Sequence, residues 1–185
     1  MSRDASSTSW SRRGLLAGAL GLGGCGFHPL YAPVTAADGS DLREELAAVR
    51  VANIPERSGQ LLRRHLQRRF EGGAPGTQAR YNLQVVVSYT IEVLGYRRDG
   101  TPSRIRTIAN GNWTLTTLSV PPQPIAATAI PYRTLDSFNI PDLQFFAADT
   151  ARDAMEARLV EDLAEEIYRR VALELRGRKE AARAA

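Results

Sequence analysis

The chain is poor in the side chains that carry imidazole, thiol and metal chemistry. Its 185 residues include one cysteine, Cys25, and two histidines, His28 and His65. Because a nucleophilic triad or a zinc site needs several such groups close together, the sequence predicts no His/Cys catalytic centre, no metal site and no cofactor. A hydrolase that uses the carboxylates Glu92 and Asp136 is the remaining enzymatic alternative. We therefore expect a protein that binds or assembles, and not an enzyme.

A strong charge of one sign is also absent. The 24 basic and 20 acidic side chains give a net charge of +4, which falls to +2 if residues 1–24 are removed. Such a balance provides no general attraction to nucleic acid, so any anion must be bound by a local cluster. Lys179 is the only lysine. The other basic side chains are arginines, whose planar set of donors matches phosphate.

No apolar run is long enough to cross a membrane. The run from Gly14 to Gly24 has about half of the ~20 residues that a spanning helix needs. Two arginines precede it and Cys25 follows it, an arrangement typical of an export signal. Leu22–Cys25 resembles a lipobox, which predicts a signal peptide over residues 1–24 and acylation of Cys25, for example with palmitate. A cytosolic protein with a chance apolar segment is the alternative.

Acylation at Cys25 would anchor the mature chain, because two or three acyl chains bind a membrane firmly. The next residue is Gly26 and not aspartate, which by resemblance to bacterial lipoprotein sorting favours the periplasmic side of the outer membrane. Ser11–Leu16 is similar to a twin-arginine motif, and the Sec and twin-arginine routes both stay open. Residues 25–45 are predicted to form the lipidated N-terminus and a linker, residues 46–177 a folded domain, and residues 178–185 a disordered tail.

Hydrophobic periodicity predicts a strand and then a helix at the start of the domain. Val49–Ile54 alternates apolar and polar residues and stops at a proline. Gly59–Phe70 has apolar side chains every fourth residue and arginines on the opposite face, which is typical of an amphipathic helix. This arginine face can bind anionic lipid or simply be solvated, and the sequence leaves both open.

The middle of the domain is predicted to be antiparallel sheet. Apolar residues occupy alternate positions from Tyr81 to Val93, and Asp99-Gly100 is a two-residue hairpin signal. The partner strand is expected over Arg104–Val120, with a bulge or kink at residues 110–112, and a third strand over Ile125–Phe138 is interrupted by Pro131. The outward positions are neutral and polar, suited to a wet face or to a partner: Asn82, Gln84, Ser88, Thr90, Asn112, Thr114 and Thr116.

A four-residue apolar ladder from Ala151 to Leu175 predicts a long amphipathic helix, which we expect to end at Gly177. The predicted order is β-α-β-β-β-α. The fold class is therefore α+β, a two-layer sandwich with two amphipathic helices on one face of a mostly antiparallel four-stranded sheet.

The residues that follow the lipobox resemble a known family. Cys25-Gly26-Phe27-His28-Pro29-Leu30-Tyr31, with the strand–helix–three-strand–helix order and the closing helix, resembles the lipopolysaccharide-assembly lipoproteins of the LptE family. The resemblance implies a partner, the outer-membrane β-barrel LptD, which the lipoprotein would plug and help to assemble while lipopolysaccharide reaches the outer leaflet. Another periplasmic lipoprotein, such as a lipid-transport auxiliary or a subunit of a different envelope complex, is the alternative.

A lipopolysaccharide site would need clustered donors for phosphate. Arg97, Arg98, Arg104 and Arg106 surround the predicted hairpin turn. Charge and turn geometry predict that these four side chains converge and bind lipopolysaccharide. We also expect that replacing them leaves stability nearly unchanged. The alternative is that they are solvated charges at an exposed hairpin end.

Overall fold

The computed structural model describes residues 42–184. The predicted signal peptide 1–24, the acylation site Cys25 and most of the linker therefore lie outside the described residues. The strands are β1 (Val49–Val51), β2 (Tyr81–Tyr96), β3 (Pro102–Thr117), β4 (Pro124–Ala127) and β5 (Tyr132–Asn139), and the helices are α1 (Leu42–Ala47), α2 (Arg57–Glu71) and α3 (Phe145–Ala184).

The sheet is mostly antiparallel, so the predicted α+β class is confirmed. β2 pairs with β3 from Tyr81 opposite Thr117 to Tyr96 opposite Pro102, and β1 lies parallel to the start of β2. The predicted number of four strands is wrong, because the segment that was predicted as one strand over Ile125–Phe138 forms two strands, β4 and β5. Pro131, which has no N–H for a ladder, lies between β4 and β5, and both of these pair with the same edge of β3.

The predicted number of two helices is also too low, because residues 42–184 contain three. Residues 42–45, which were predicted to belong to the linker, form most of the helix α1 (Leu42–Ala47). Leu42 and Leu46 are one helical turn apart and are each 4% exposed. Their burial in the core stabilises a helix that is too short to form alone.

The core lies between one face of the sheet and the helices α2 and α3. Leu62, Leu66 and Phe70 of α2 and Leu163 and Ile167 of α3 are fully buried. The odd-numbered residues of β2 and β3 face them, and this cluster contains Leu83, Val85, Ala109, Trp113 and Leu115. The apolar stripes predicted from the periodicity are therefore the ones that join the two layers.

Gly111 is a point where α3 lies close to the sheet. The β2–β3 register runs through residues 110–112 without a shift, so the predicted bulge or kink there is wrong. A Cβ atom on Gly111 would lie 3.0 Å from Cδ2 of Leu163. The glycine is present because a larger side chain would hold the helix away from the sheet.

α3 continues past Gly177, where the sequence predicted its end, and the residues predicted as a disordered tail are helical to Ala184. Gly177 is not among the glycines with positive φ, so it does not form the left-handed turn that ends a helix. Arg176 pairs with Glu180 at 2.8 Å, and the ammonium of Lys179 lies 3.7 Å from Glu45 in α1. These contacts hold the last turns.

The β2–β3 hairpin has an end that the core does not cover. Leu83 is 0% exposed near the start of β2, whereas Ile91 on the same face is 67% exposed. The bulge between Val93 and Gly95 follows, and then the loop. No helix within residues 42–184 has the length and the apolar character to cross a bilayer.

Candidate binding surface at the hairpin tip

The hairpin tip is a three-residue loop and not the predicted two-residue turn. The amide of Arg97 donates to the carbonyl of Thr101 at 2.8 Å, which leaves residues 98–100 in the loop. Gly100 has φ 83°, the left-handed backbone that such a loop requires at its last position. Asp99 Oδ1 accepts the N–H and the hydroxyl of Thr101 at 3.0 and 2.8 Å, and these hydrogen bonds lower the pKa of Asp99.

Arg97 is occupied within the protein. Its guanidinium donates to Thr101 Oγ1 and to the Pro102 carbonyl, both at 3.1 Å, and also to the Ile140 carbonyl. The Ile140 amide donates in turn to the carbonyl of Ser103 at 2.8 Å. Arg97 therefore ties the connection between β5 and α3 to the hairpin tip.

The other three arginines differ in how far they are engaged. Arg104 Nη2 donates to Ser137 Oγ at 3.0 Å. Arg106 lies opposite Glu92 in the ladder and forms an ion pair with it at 3.5 Å. Arg98 is exposed in the loop. The structure thus places Arg104 and Arg106 on one sheet face and Arg98 in the loop. The guanidinium of Arg97 instead contacts Ile140.

The sheet face opposite the helices is polar, as predicted. The even-numbered residues of β2 face those of β3, so that Gln84 lies opposite Thr114 and both side chains are exposed. Val86 and Leu135 are apolar exceptions, 66% and 50% exposed, and Ile108 on this face is 4% exposed. No helix among the described residues covers this face.

An exposed apolar turn lies where β5 connects to α3, and the sequence analysis did not identify it. Leu143, Phe145 and Phe146 are 85%, 78% and 90% exposed. Leu143 has φ 54°, a left-handed backbone that is unfavourable for a bulky residue. The sequence does contain a signal for this turn: all three apolar residues precede the apolar ladder of α3, so none of them occupies a predicted core position.

The structure does not bring Glu92 and Asp136 together. Glu92 lies on the polar sheet face, whereas Asp136, which is opposite Thr107, lies on the helix side and accepts from Arg158 Nε at 2.7 Å. The two carboxylates cannot act as a pair. The described residues also contain no group of three His, Cys, Asp or Glu side chains placed to hold a metal ion.

Some of the arginines on the exposed face of α2 form contacts within the domain. Arg63 donates to the Val51 carbonyl at 3.3 Å, and Arg69 pairs with Glu165. Arg64 and Arg68 are exposed. His65 lies between them, and burial, followed by the Arg68 charge, lowers its pKa.

These features define a class: a two-layer α+β domain with helices on one sheet face, a polar uncovered face and a cationic hairpin tip. The family model described as "LptE: Lipopolysaccharide-assembly" matches residues 46–171. The chain therefore belongs to the LptE lipopolysaccharide-assembly family.

The chain is similar to several solved structures, of which the Caulobacter crescentus and Nitrosomonas europaea lipoproteins share its fold. A lipoprotein from Caulobacter crescentus CB15 is 20% identical, with 74% of this chain and 96% of that chain covered and a TM-score of 0.58. A lipoprotein B from Nitrosomonas europaea is 14% identical over 67% of this chain and 81% of that chain, with a TM-score of 0.50. The rare lipoprotein B of Shewanella oneidensis is 12% identical over 67% and 91%, with a TM-score of 0.48. No curated protein sequence matches the chain.

Proposed function

We propose that this protein is an outer-membrane lipoprotein, anchored through Cys25, that assembles with the LptD β-barrel and plugs it. In this role it supports the binding of lipopolysaccharide and its insertion into the outer leaflet, and it catalyses no reaction. Family membership supports the assignment to lipopolysaccharide assembly. The barrel partner, the anchor and the location are the further steps of the proposal.

The observation that carries the proposal is the uncovered polar face of the sheet. Large membrane barrels have a polar lumen, and neutral polar side chains can hydrogen-bond to its wall without leaving a buried charge. Gln84, Ser88 and Thr114 provide such side chains in exposed positions. Arg106 pairs with Glu92 on this face near the tip, and Arg133 lies opposite Asn110 in the β3–β5 ladder. Between the Glu92–Arg106 pair and the start of β2, the side chains that β2 and β3 contribute to this face are uncharged, so this part is suited to contact a polar wall.

A pair of charges placed on this face tests the docking. Gln84 and Thr114 are direct cross-strand partners, so the double variant Q84K/T114E adds an opposite-charge pair that the isolated sheet tolerates. Docking against a wall must remove water from both charges, which is costly. We expect at least tenfold less LptD to be recovered with the tagged variant from detergent-solubilised envelopes, as quantified by mass spectrometry.

The matched control is A154K/A157E, which places the same two charges on exposed positions of α3. It should recover LptD as the wild type does. Absence of LptD from the wild-type preparation would contradict the proposal, as would undiminished recovery with Q84K/T114E. A wild-type protein that is extracted alone with bound phospholipid would instead support the lipid-transport auxiliary.

A further inference from the structure

The end of the sheet opposite the hairpin tip, which we call the base, joins segments that are distant in sequence. β2 has 16 residues between the two ends, so the base lies about 50 Å from the tip. Glu45 of α1 pairs with Arg80, which precedes β2, and lies 3.7 Å from the ammonium of Lys179 in α3. The Leu118 amide, just after β3, donates to the Arg80 carbonyl at 2.9 Å. The base therefore consists of residues 42–48, 80–81, 118–123 and 176–180.

The loop between β3 and β4 gives the base an exposed apolar surface. Leu118 is 51% exposed and Val120 is 98% exposed, and the two prolines that follow them are exposed as well. The Thr117 amide donates to the Gln123 carbonyl at 2.9 Å, which closes the loop at its two ends. Apolar surface that stays in water costs free energy, and grouped exposed apolar residues are typical of an interaction site. The packing of the core does not explain this loop.

Positive charge exceeds negative charge at the base. Its five cationic side chains and three carboxylates are Arg43, Arg80, Arg176, Arg178 and Lys179 and Glu44, Glu45 and Glu180. Arg43, Arg80 and Arg178 are exposed. Arg178 donates to the Ile125 carbonyl at 3.5 Å, which places it beside the strand that follows the apolar loop. Exposed cations next to an apolar loop match the boundary of an anionic bilayer, where phosphate headgroups meet acyl chains.

The chain also enters the described domain at the base. Leu42 is the first residue that the structure describes, and it belongs to α1. Cys25 is 17 residues earlier, a length of chain that extends over at most about 60 Å. An anchor at Cys25 can bring the base to a membrane surface directly, whereas the tip lies a further ~50 Å along the sheet. The point of attachment and the surface chemistry therefore favour the same end.

We propose that the base docks on the surface of an anionic bilayer. Leu118 and Val120 enter the boundary between the headgroups and the acyl chains, and the exposed arginines of the base contact the headgroup phosphates. A soluble anion would leave the apolar loop unused, and an apolar protein surface would leave the arginines unused. The identification of the bilayer as the membrane that carries the anchor rests on the proposed acylation of Cys25. The affinity of the base for an anionic bilayer does not depend on it.

Sedimentation with lipid vesicles tests the base. The chain of residues 26–185, which lacks the acylation site, is mixed with vesicles of phosphatidylglycerol and phosphatidylcholine in equal parts, or of phosphatidylcholine alone. We expect at least tenfold stronger partitioning onto the anionic vesicles, and the preference should fall as the salt concentration rises. R43Q/R178Q should partition at least tenfold more weakly than the wild type, because two cations are lost. L118S/V120S should partition at least fivefold more weakly, because the apolar loop is lost.

The matched controls remove the same kinds of side chain outside the base. V86S/I130S removes two apolar side chains that are 66% and 74% exposed. R133Q/R152Q removes two exposed arginines, one in β5 and one in the first half of α3. Both variants should partition onto the anionic vesicles as the wild type does.

Two further variants separate membrane contact from damage to the fold. R43K/R178K keeps both positive charges, so it should partition as the wild type does. V120W places an indole at a position that is 98% exposed, and its fluorescence should shift to shorter wavelength when anionic vesicles are added. I130W, at a position that is 74% exposed outside the base, should show no shift.

Equal partitioning of the wild type onto the two kinds of vesicle would overturn the inference. So would equal losses in R133Q/R152Q and R43Q/R178Q, because the attraction would then follow the net charge. Base variants that bind vesicles normally but recover less LptD would assign the base to the barrel instead. If the wild type recovers no LptD and the base variants still lose the vesicles, the proposed function fails and the docking of the base stands. If LptD is recovered and the base variants bind vesicles normally, only the docking is wrong.

Discussion

At the scale of the residue, the four tip arginines illustrate what a sequence can and cannot predict. Their position around a turn follows from the Asp99-Gly100 signal and from strand alternation, and the structure confirms a hairpin there. Their partners depend on chain segments far away in sequence. Arg97 donates to Ile140, which is 43 positions distant, and Arg104 donates to Ser137, which is 33 positions distant. No local pattern contains this information.

The structure therefore changes the expectation for Arg97. R97A removes hydrogen bonds to Thr101, Pro102 and Ile140, and we expect the free energy of unfolding to fall by about 1–2 kcal/mol. R98A removes an exposed side chain and should change it by less than ~0.5 kcal/mol. Urea unfolding of the two variants measures the difference. Equal stabilities would show that Arg97 does not hold the connection.

At the scale of the element, periodicity predicted the two long strands and the two long helices, because each buries one continuous apolar stripe. Periodicity did not predict the elements whose structure depends on tertiary contacts. α1 is a helix because its apolar side chains and Glu45 find partners in β2 and α3. The helical end of α3 likewise depends on Glu45 and on the Ile125 carbonyl, which accepts from Arg178 at 3.5 Å.

Glu45 joins three elements, and this predicts an alkaline transition. It is 7% exposed, accepts from the Tyr81 hydroxyl at 2.7 Å and pairs with Arg80 at 3.1 Å. Burial, followed by the hydrogen bond to Glu45, raises the pKa of Tyr81 to about 12. The unfolded chain loses this proton near pH ~10. The stabilising contribution is therefore complete below pH ~10 and is lost as the pH rises to about 12.

Y81F removes this group and should reduce the pH dependence of unfolding between about pH 10 and 12. At neutral pH it should destabilise the protein by about 1 kcal/mol, because the Glu45 carboxylate loses a donor. Thermal unfolding of the wild type and Y81F across this pH range provides the test. Parallel curves for the two proteins would contradict the assignment.

At the scale of the whole domain, residues 42–184 form two layers that come into close contact at Gly111, where an added Cβ would lie 3.0 Å from Cδ2 of Leu163. The sequence predicted a bulge or kink at residues 110–112, because a glycine in a strand has two common causes, a bulge or a close approach of another chain segment. Only the position of α3 distinguishes them, and that position follows from packing across the layers. The same packing explains why Leu163 is fully buried.

Two substitutions test this contact. L163A should destabilise the domain by about 2–5 kcal/mol through a cavity. G111V should cost about 1–3 kcal/mol through overpacking against Leu163. In the double variant the added side chain occupies the space that Leu163 leaves, so the loss should be smaller than the two single losses combined. Additive losses in chemical unfolding would indicate that the residues do not compete for one space.

The parallel pairing of β1 with β2 has a consequence for the order in which the chain folds. β2 and β3 are consecutive and meet through a short loop, and hairpins of this kind close in about 1–10 μs. β1 is made before the other strands, yet its strand neighbour among the described residues begins at Tyr81. Residues 42–71 must therefore wait for the later hairpin before their apolar side chains are sheltered. In this interval they are accessible to chaperones and proteases, and the early segment depends on the late one.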